Sequence, residues 1–425
     1  MVIHKLPAIL KHFTVVAGQL GVGGVSMPAL ASSFGTPFYV YDAATIRQNY
    51  LSVARSLSQF TVAYSIKANP SLGICKLINS AGCWAEVASG GELYIAKESG
   101  FPRSLTIFAG PAKQEWELRE AFNSHVGIFN AESCRELDLF ARWTSDNSPC
   151  PPVCLRVNTL ASAASAGEQM VGGPSRFGFD EEMLPDLIGQ YKSKLNIVGL
   201  HVYTGSQILE AGDIIANFER AFSLFTQSRQ TIGETFSTLV FGGGFGVPND
   251  DNEPKLNLEK VSAGITRIIE QDQSVAPLRL IIELGRFLVA SAGIFVTRVI
   301  DVKKSRGRTF VLTDGGINNF LRPAFMKVAH PVYLLEKLDE PAILTAHIGG
   351  PLCTPLDEYG KDLKLPHVEL GDLVGVFNAG AYGFSMSMHQ FLGHPSPAEI
   401  LVDNGTVSLI RRRGELCDLV MGQKA

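Results

Sequence analysis

The chain has 425 residues, 46% of them hydrophobic and 18% charged, the balance of a soluble globular enzyme with room for two or three domains, or for one barrel plus a second domain. Its net charge of −4 at pH 7 argues against nonspecific nucleic-acid binding. Seven cysteines without a CxxC pair fit a reducing cytoplasm better than a disulfide scaffold or a zinc site, so a cytoplasmic location and no metal are expected.

From Phe13 to Tyr41 no residue is charged, and Pro28-Ala29-Leu30-Ala31 mimics a signal-cleavage site. Gly18, Gly21, Gly23 and Gly24 break this stretch well short of the ~20 apolar residues of a membrane span, so no membrane attachment is expected. Beyond it, strands are expected at Phe38–Tyr41, Phe60–Ser65, Trp84–Val87, Thr106–Phe108, Val126–Phe129, Val153–Val157, Ile197–Val202, Thr238–Phe241 and Leu280–Glu283. Helical patterns fall between them, among them Gly91–Ser99, Gln114–Asn123, Ile214–Ser228 and Leu256–Gln271. Such alternation implies parallel strands with crossover helices, and about eight repeats over ~245 residues suit a (β/α)8 barrel. After Arg286 the pattern is β-rich, with runs such as Ala292–Lys304, Arg308–Thr313, Pro341–Ile348, Leu373–Asn378 and Val407–Ile410 and no competing long helix, which implies an all-β domain. Two basic clusters, Lys303 to Arg308 and Arg411 to Arg413, read as a hairpin tip and a solvated strand edge.

Lys67 follows a strand and precedes a helix, at the strand end where β/α folds place their chemistry. A lysine there can form a Schiff base with a carbonyl cofactor. Glu86 ends a strand before the small-residue turn Ala88-Ser89-Gly90-Gly91, which lets backbone approach a ligand. Phe241-Gly242-Gly243-Gly244-Phe245-Gly246 is a glycine loop directly after a strand, and the bare N–H groups of such a loop can cradle a phosphate. Glu283 ends an otherwise apolar strand, where an unpaired carboxylate would be costly, so a partner is expected. His201 and Tyr203 share strand parity and can both point inward.

The segment Tyr64-Ser65-Ile66-Lys67-Ala68-Asn69-Pro70 resembles the cofactor-lysine segment of the fold-type III pyridoxal-phosphate decarboxylases, which include the diaminopimelate, ornithine and arginine decarboxylases. The resemblance runs from about Gly35 to Glu399, through at least seven motifs in the family's order. It implies an α/β protein of the alanine-racemase type. Its parts would be a pyridoxal-phosphate-binding (β/α)8 TIM-like barrel over residues 38–286, a C-terminal all-β domain over 287–425, and an N-terminal segment, 1–37, that joins the β domain. It also implies a homodimer with shared active sites.

By the same resemblance the cofactor is pyridoxal 5′-phosphate, bound at Lys67, Glu86, Tyr203, Ser206, Gly243, Gly244, Gly246, Glu283, Arg286 and Tyr382. Lys67, Cys353 and Glu283 are the expected catalytic residues, with Glu283 at the pyridine nitrogen and Cys353 returning a proton to the substrate carbon. Arg286, Arg322, Thr354, Asp357 and Tyr382 are the expected substrate residues. Four positions depart from the family pattern: Glu86 stands for the usual aspartate, Tyr203 for the ring-stacking histidine, Leu284 for a proline, and Thr354 for the acidic residue that meets a distal ammonium. The combination of Tyr203, Cys353-Thr354-Pro355, Gly360-Lys361-Asp362 and Phe391-Leu392-Gly393-His394-Pro395 looks closer to decarboxylases of secondary metabolism, one of which acts in butirosin assembly on glutamate tethered to a carrier protein. An amino-acid α-decarboxylase for a glutamate-like or carrier-tethered substrate is therefore expected. The alternatives are a meso-diaminopimelate decarboxylase of lysine biosynthesis, a racemase of the same fold, and a non-catalytic binding homologue.

Overall fold

The computed structural model describes residues 7–145, 148–160, 168–169, 172–250, 252–272 and 278–424. The chain divides into two compact units: Asn49–Val247 with Pro254–Phe287, and Met1–Gln48 with Pro248–Glu253 and Leu288–Ala425.

The first unit is a closed barrel of eight parallel strands: β1 (Phe60–Ser65), β2 (Trp84–Val87), β3 (Thr106–Phe108), β4 (Ile128–Ala131), β5 (Val153–Asn158), β6 (Ile197–Tyr203), β7 (Thr238–Gly242) and β8 (Arg279–Leu284). Each pairs with the next, and β8 returns to β1 through Leu280↔Phe60 to Leu284↔Tyr64. The strands are buried on both faces, which is why they read as continuous apolar runs. Inward positions recur every second residue. Ala63, Ile107, Ile128, Cys154, Val240 and Ile281 form an apolar floor inside the barrel. Two residues further along their strands stand Ser65, Asn130, Arg156 and Glu283, so the interior turns polar at the carboxyl ends. Glu86 pairs with Ser65, and His201 pairs with Arg156, in the same ladders. On the outside, Phe218 of the helix Ala211–Ile232 sits edge-on to Phe60 and Phe241 at 5.7 and 5.5 Å. Truncating so buried an aromatic costs about 3–5 kcal/mol.

The expected β4 span moves from Val126–Phe129 to Ile128–Ala131. His125 takes φ +49, and the Gly127 amide bonds the Arg103 carbonyl at 2.8 Å, so pairing with β3 begins only at Ile128. The helix expected at Leu256 starts at Leu258, because the Asn257 side chain caps it by accepting from the Lys260 amide at 2.9 Å. Most of the loop expected as a lid, Thr159 to Pro174, lies outside the described residues.

The second unit is built on mixed sheet. Its long strand β9 (Gly293–Ser305) turns at Arg306-Gly307 into β10 (Arg308–Thr313), the hairpin expected for the first basic cluster. The sheet continues through β11 (Leu344–Gly349) and β12 (Glu358–Leu365). On the other side of β9 lies Phe38–Asp42, antiparallel to β9 and parallel to Ala398–Asp403. Phe38–Asp42 was expected to open the barrel alternation; it belongs to this sheet instead. All five of its residues are buried, so its sequence carries no sign of which sheet receives it. The uncharged stretch from Phe13 onward folds as three short strands between Thr14 and Ser26 and a helix Met27–Phe34, whose Leu20, Val22, Met27 and Leu30 join the core of this unit. The second basic cluster lies at a solvated edge, as expected: Thr406–Arg411 is the outermost strand of its sheet and Arg411 and Arg412 are exposed, though each arginine has a partner. Arg411 pairs with Glu399, Arg412 with Asp418 at 2.7 Å, and Arg413 donates to the carbonyls of Phe34, Gly35 and Pro37 at 3.2, 3.0 and 2.8 Å. Among the described residues no helix is long and apolar enough to cross a membrane.

Candidate active site

Lys67 occupies a single helical turn, Ile66–Ala68, directly after β1. Asn69 closes the turn: its side chain accepts from the Ser71 amide at 3.1 Å and its carbonyl from the Tyr64 hydroxyl at 2.9 Å. Gly285, just past β8, passes so close that a Cβ there would sit 2.8 Å from the Ala68 Cβ. Lys67 is thus fixed at the barrel mouth. Its side chain is 41% exposed, yet Nζ donates to both oxygens of Glu86, at 2.8 and 2.5 Å, and Glu86 is 1% exposed. An accessible amine over a buried carboxylate is poised for chemistry at a carbonyl.

Strand β2 runs into the helix Gly90–Glu98, capped by Ser89, whose hydroxyl accepts from the Glu92 amide at 3.1 Å. Glu92 reaches back to the Ala88 amide at 2.7 Å. Burial, and then the neighbouring Glu86 carboxylate, push the Glu92 carboxyl up to about 7.

Glu283 has its expected partner. His201 Nε2 lies 3.0 Å from Glu283 Oε2, both side chains buried. Burial alone would raise the Glu283 carboxyl; the charge and hydrogen bond of His201 outweigh it and hold the group below the ordinary carboxylate value. Glu283 Oε1 and His201 Nδ1 are buried with no hydrogen-bond partner among the described residues. A buried acceptor left open in this way calls for a ligand donor, and a protonated ring nitrogen fits it. His201 is therefore engaged with Glu283, and Tyr203, one inward step further along β6, is the half-buried aromatic at the mouth. Its ring lies on bare Gly242, where a Cβ would meet Tyr203 Cδ2 at 2.0 Å.

The glycine loop follows β7. Gly244 has φ +62, and a Cβ there would fall 2.2 Å from the Gly205 carbonyl. The Gly243 amide bonds the Glu283 carbonyl at 3.2 Å and the Gly246 amide the Ile208 carbonyl at 2.8 Å, which fixes the loop against β8 and the Ser206 segment. Ser206 lies in the two-residue strand Gly205–Ser206, paired with Glu168–Gln169. Arg286 opens the short helix Arg286–Val289 after β8. The barrel unit thus brings together Lys67, Glu86, Tyr203, Ser206, Gly243, Gly244, Gly246, Glu283 and Arg286, on strand ends and turns. An open acceptor, a side-chain-free loop and an accessible amine suit pyridoxal phosphate in its nitrogen, its phosphate and its carbonyl.

The other expected residues lie in the second unit. Cys353 is exposed on the loop between β11 and β12. Asp357, expected at the substrate, is buried, and its carboxylate accepts the amide of Leu352 in its own loop and that of Ile317 from a separate segment, each at 2.7 Å. Thr354 Oγ1 accepts from the Leu356 amide at 3.3 Å. Arg322 is 5% exposed, its guanidinium 5.7 Å from the Tyr382 ring centre, and Tyr382 is held at φ +54.

Sequence reasoning passed over the inward side chain Asn130 and the buried partners Lys113, Glu132 and Glu136, although it placed Arg156, at the end of β5, in a segment that matches the family near the cofactor. The parity of β4 was the available signal for Asn130; the ion pairs had none.

Residues 43–290, more than half of the chain, match the family model described as the pyridoxal-dependent decarboxylase, pyridoxal binding domain. The L-glutamyl-[BtrI acyl-carrier protein] decarboxylase of Niallia circulans is 36% identical over 407 residues, covering 93% of this chain and 95% of its own. The diaminopimelate decarboxylase of Aquifex aeolicus is 32% identical, covering 93% of each chain. The structure of diaminopimelate decarboxylase from M. jannaschii with L-lysine superposes with a TM-score of 0.92 at 28% identity, covering 98% of each chain. Likeness of this extent over nearly the whole length is decisive: the chain belongs to the pyridoxal-dependent decarboxylases, enzymes that release CO2 from amino acids with pyridoxal 5′-phosphate as cofactor.

Proposed function

We propose that this decarboxylase acts on a glutamate-like amino acid, free or joined to a carrier protein, rather than on a substrate with a distal ammonium. The supporting observation is the state of the carboxylates around Cys353. Thr354, next to it, is neutral. Asp357 is bound to loop amides. Glu358 lies 2.5 Å from His347 Nδ1 and 3.3 Å from Lys361, and Asp362 lies 3.3 Å from His347 Nε2. Asp357 and Glu358 are thus engaged within the protein, and Asp362 shares His347 with Glu358. A charge-assisted hydrogen bond is worth about 1.5–3 kcal/mol against ~1 for a neutral one, so an ammonium substrate gives up roughly tenfold here. The 36% identity to a decarboxylase of a carrier-bound glutamyl group supports the same reading.

Pyridoxal phosphate, when bound, supplies a carbonyl for the amine and a ring that accepts the electron pair left by departing CO2. In this proposal Lys67 Nζ is the amine that holds the cofactor and gives way to the substrate amine, and Glu86 keeps that amine in place. Glu283, steadied by His201, offers Oε1 to keep a proton on the ring nitrogen. Tyr203 flanks the ring. Ser206, Gly244 and Arg286 hold the phosphate end, on a loop that the engaged amides of Gly243 and Gly246 fix in place, and the family resemblance assigns Tyr382 to the phosphate and Arg322 and Thr354 to the substrate. Cys353 donates the proton that replaces CO2. Asp357, in this scheme, acts through the Cys353 loop rather than on substrate.

The test is CO2 release from carrier-linked glutamate, free glutamate, diaminopimelate, ornithine and lysine. A glutamyl substrate is expected to give the highest kcat/KM. If diaminopimelate is best, at about 10⁴ M⁻¹s⁻¹ or above, a native range, the reading is overturned.

A further inference from the structure

Beyond the residues assigned above, the barrel wall holds four charged side chains in a row, all buried. Lys113, 3% exposed, donates through Nζ to the Asn130 carbonyl at 3.1 Å and to the two oxygens of Glu136 at 3.3 and 3.2 Å, with the Phe129 ring centre at 4.7 Å. Glu136 Oε2 also accepts the Glu132 amide at 2.8 Å. Glu132 Oε1 accepts both the Gly110 amide and Arg156 Nη1, each at 2.7 Å. Two cations and two anions balance, as buried charges must.

The row has a direction. Arg156 faces into the barrel from β5, is the ladder neighbour of His201, and through it adjoins the Glu283 site. Its guanidinium lies 4.7 Å from the Phe177 ring centre, so one face is packed and one edge is tied by Glu132. The hydrogen bonding is also incomplete on this side: Glu132 Oε2 and both polar atoms of Asn130, which is fully buried and faces inward from β4, have no partner among the described residues. A cluster built only for stability would close these groups, since each costs free energy when left open.

We propose that Glu132 is a positioning residue for the reaction: it aims the Arg156 guanidinium into the barrel mouth as a fixed positive charge for the anionic cofactor, with Lys113 and Glu136 bracing it from behind. Asn130 offers a donor and an acceptor to the same ligand. Arginine suits the task because it stays charged and its planar fork holds direction once one edge is fixed. A guanidinium without that tether would pair with Glu283 or swing to solvent, and the cofactor would lose a preorganised charge. The proposal rests on the assignment of pyridoxal phosphate to this barrel.

Glu132→Gln tests it, because glutamine keeps the shape and the bond to Gly110 but loses the charge. Cofactor-free wild type and variant are titrated with pyridoxal 5′-phosphate and followed by intrinsic fluorescence and by the absorbance of the bound cofactor across pH, with thermal unfolding of each unloaded protein alongside. The variant is expected to bind roughly tenfold more weakly, to shift the pH at which the cofactor band changes, and to lose more in kcat than it gains in KM. Lower thermal stability with wild-type affinity and an unmoved absorbance profile would reduce Glu132 to a structural part and overturn the proposal. If Glu132→Gln does not fold, Glu132→Asp, which withdraws the carboxylate by one methylene, is expected to show the same changes in smaller degree; wild-type behaviour there overturns it equally. A wild type that takes up no pyridoxal phosphate would remove the cofactor assignment and this proposal together, whereas normal uptake by both proteins removes this proposal alone.

Discussion

Lys67 and Glu86 show how one pair serves two ends. The amine is open enough for a ligand to reach, and the carboxylate beneath it is 1% exposed and depends on it for charge balance. Lys67→Ala is therefore expected to abolish turnover and borohydride trapping of the cofactor. It should also leave Glu86 as a buried anion short of its main partner, a loss of about 1–2 kcal/mol once the exposure of the lysine is discounted. The double variant Lys67→Ala, Glu86→Gln should recover that stability without recovering activity. Activity and trapping retained in Lys67→Ala would refute the assignment. The glutamate where the family has aspartate matters here, because both of its oxygens reach Nζ.

At the scale of the element, the turn from β2 into Gly90–Glu98 is a pH-sensitive joint. Glu92 caps the helix at Ala88 while facing Glu86 and Lys67, and its carboxyl is raised from 4.5 to about 7. A raised carboxyl binds a proton in the folded chain that the unfolded chain has already released. Stability is thus fully present below about pH 4.5 and falls as pH rises to about 7. Denaturant unfolding of the cofactor-free protein is expected to show that decline, and Glu92→Gln to flatten it. An equally steep decline in the variant would show that other groups carry the effect. On several barrel strands a residue on the apolar floor fixes the face and the residue two further on is polar or charged, as Ile281 does for Glu283 and Cys154 for Arg156.

For the whole molecule, the decisive separation is that Lys67 and Cys353 belong to different compact units. The family resemblance implies a proton donor supplied across a two-fold interface, and on that reading Lys67→Ala and Cys353→Ala are each inactive as homodimers. Mixed dimers then contain one intact site. Co-refolding or subunit exchange is expected to restore about a quarter of wild-type activity at equal mixing, by random pairing of subunits, half of the dimers being mixed and each holding one good site of two. Mixed dimers that form and remain inactive would show that each chain builds its site alone.

The sequence by itself determined the barrel, the β-rich second half, the lysine at a strand end and the glycine loop, because these depend on local period and turn chemistry. Alternation of strand and helix leaves few topologies, and strand parity says which side chains share a face. Only the tertiary structure decided what lies across from what. Phe38–Asp42 is buried on both faces and would suit either sheet; strand pairing placed it beside β9. Asp357 reads as an acidic residue near a catalytic cysteine, and the fold turned its carboxylate onto Ile317, forty residues away. His201 and Glu283 are 82 residues apart, and Glu132 and Arg156 are 24 apart. Their pairing follows from barrel closure and the stagger of neighbouring strands, a three-dimensional constraint with no period in the chain to announce it.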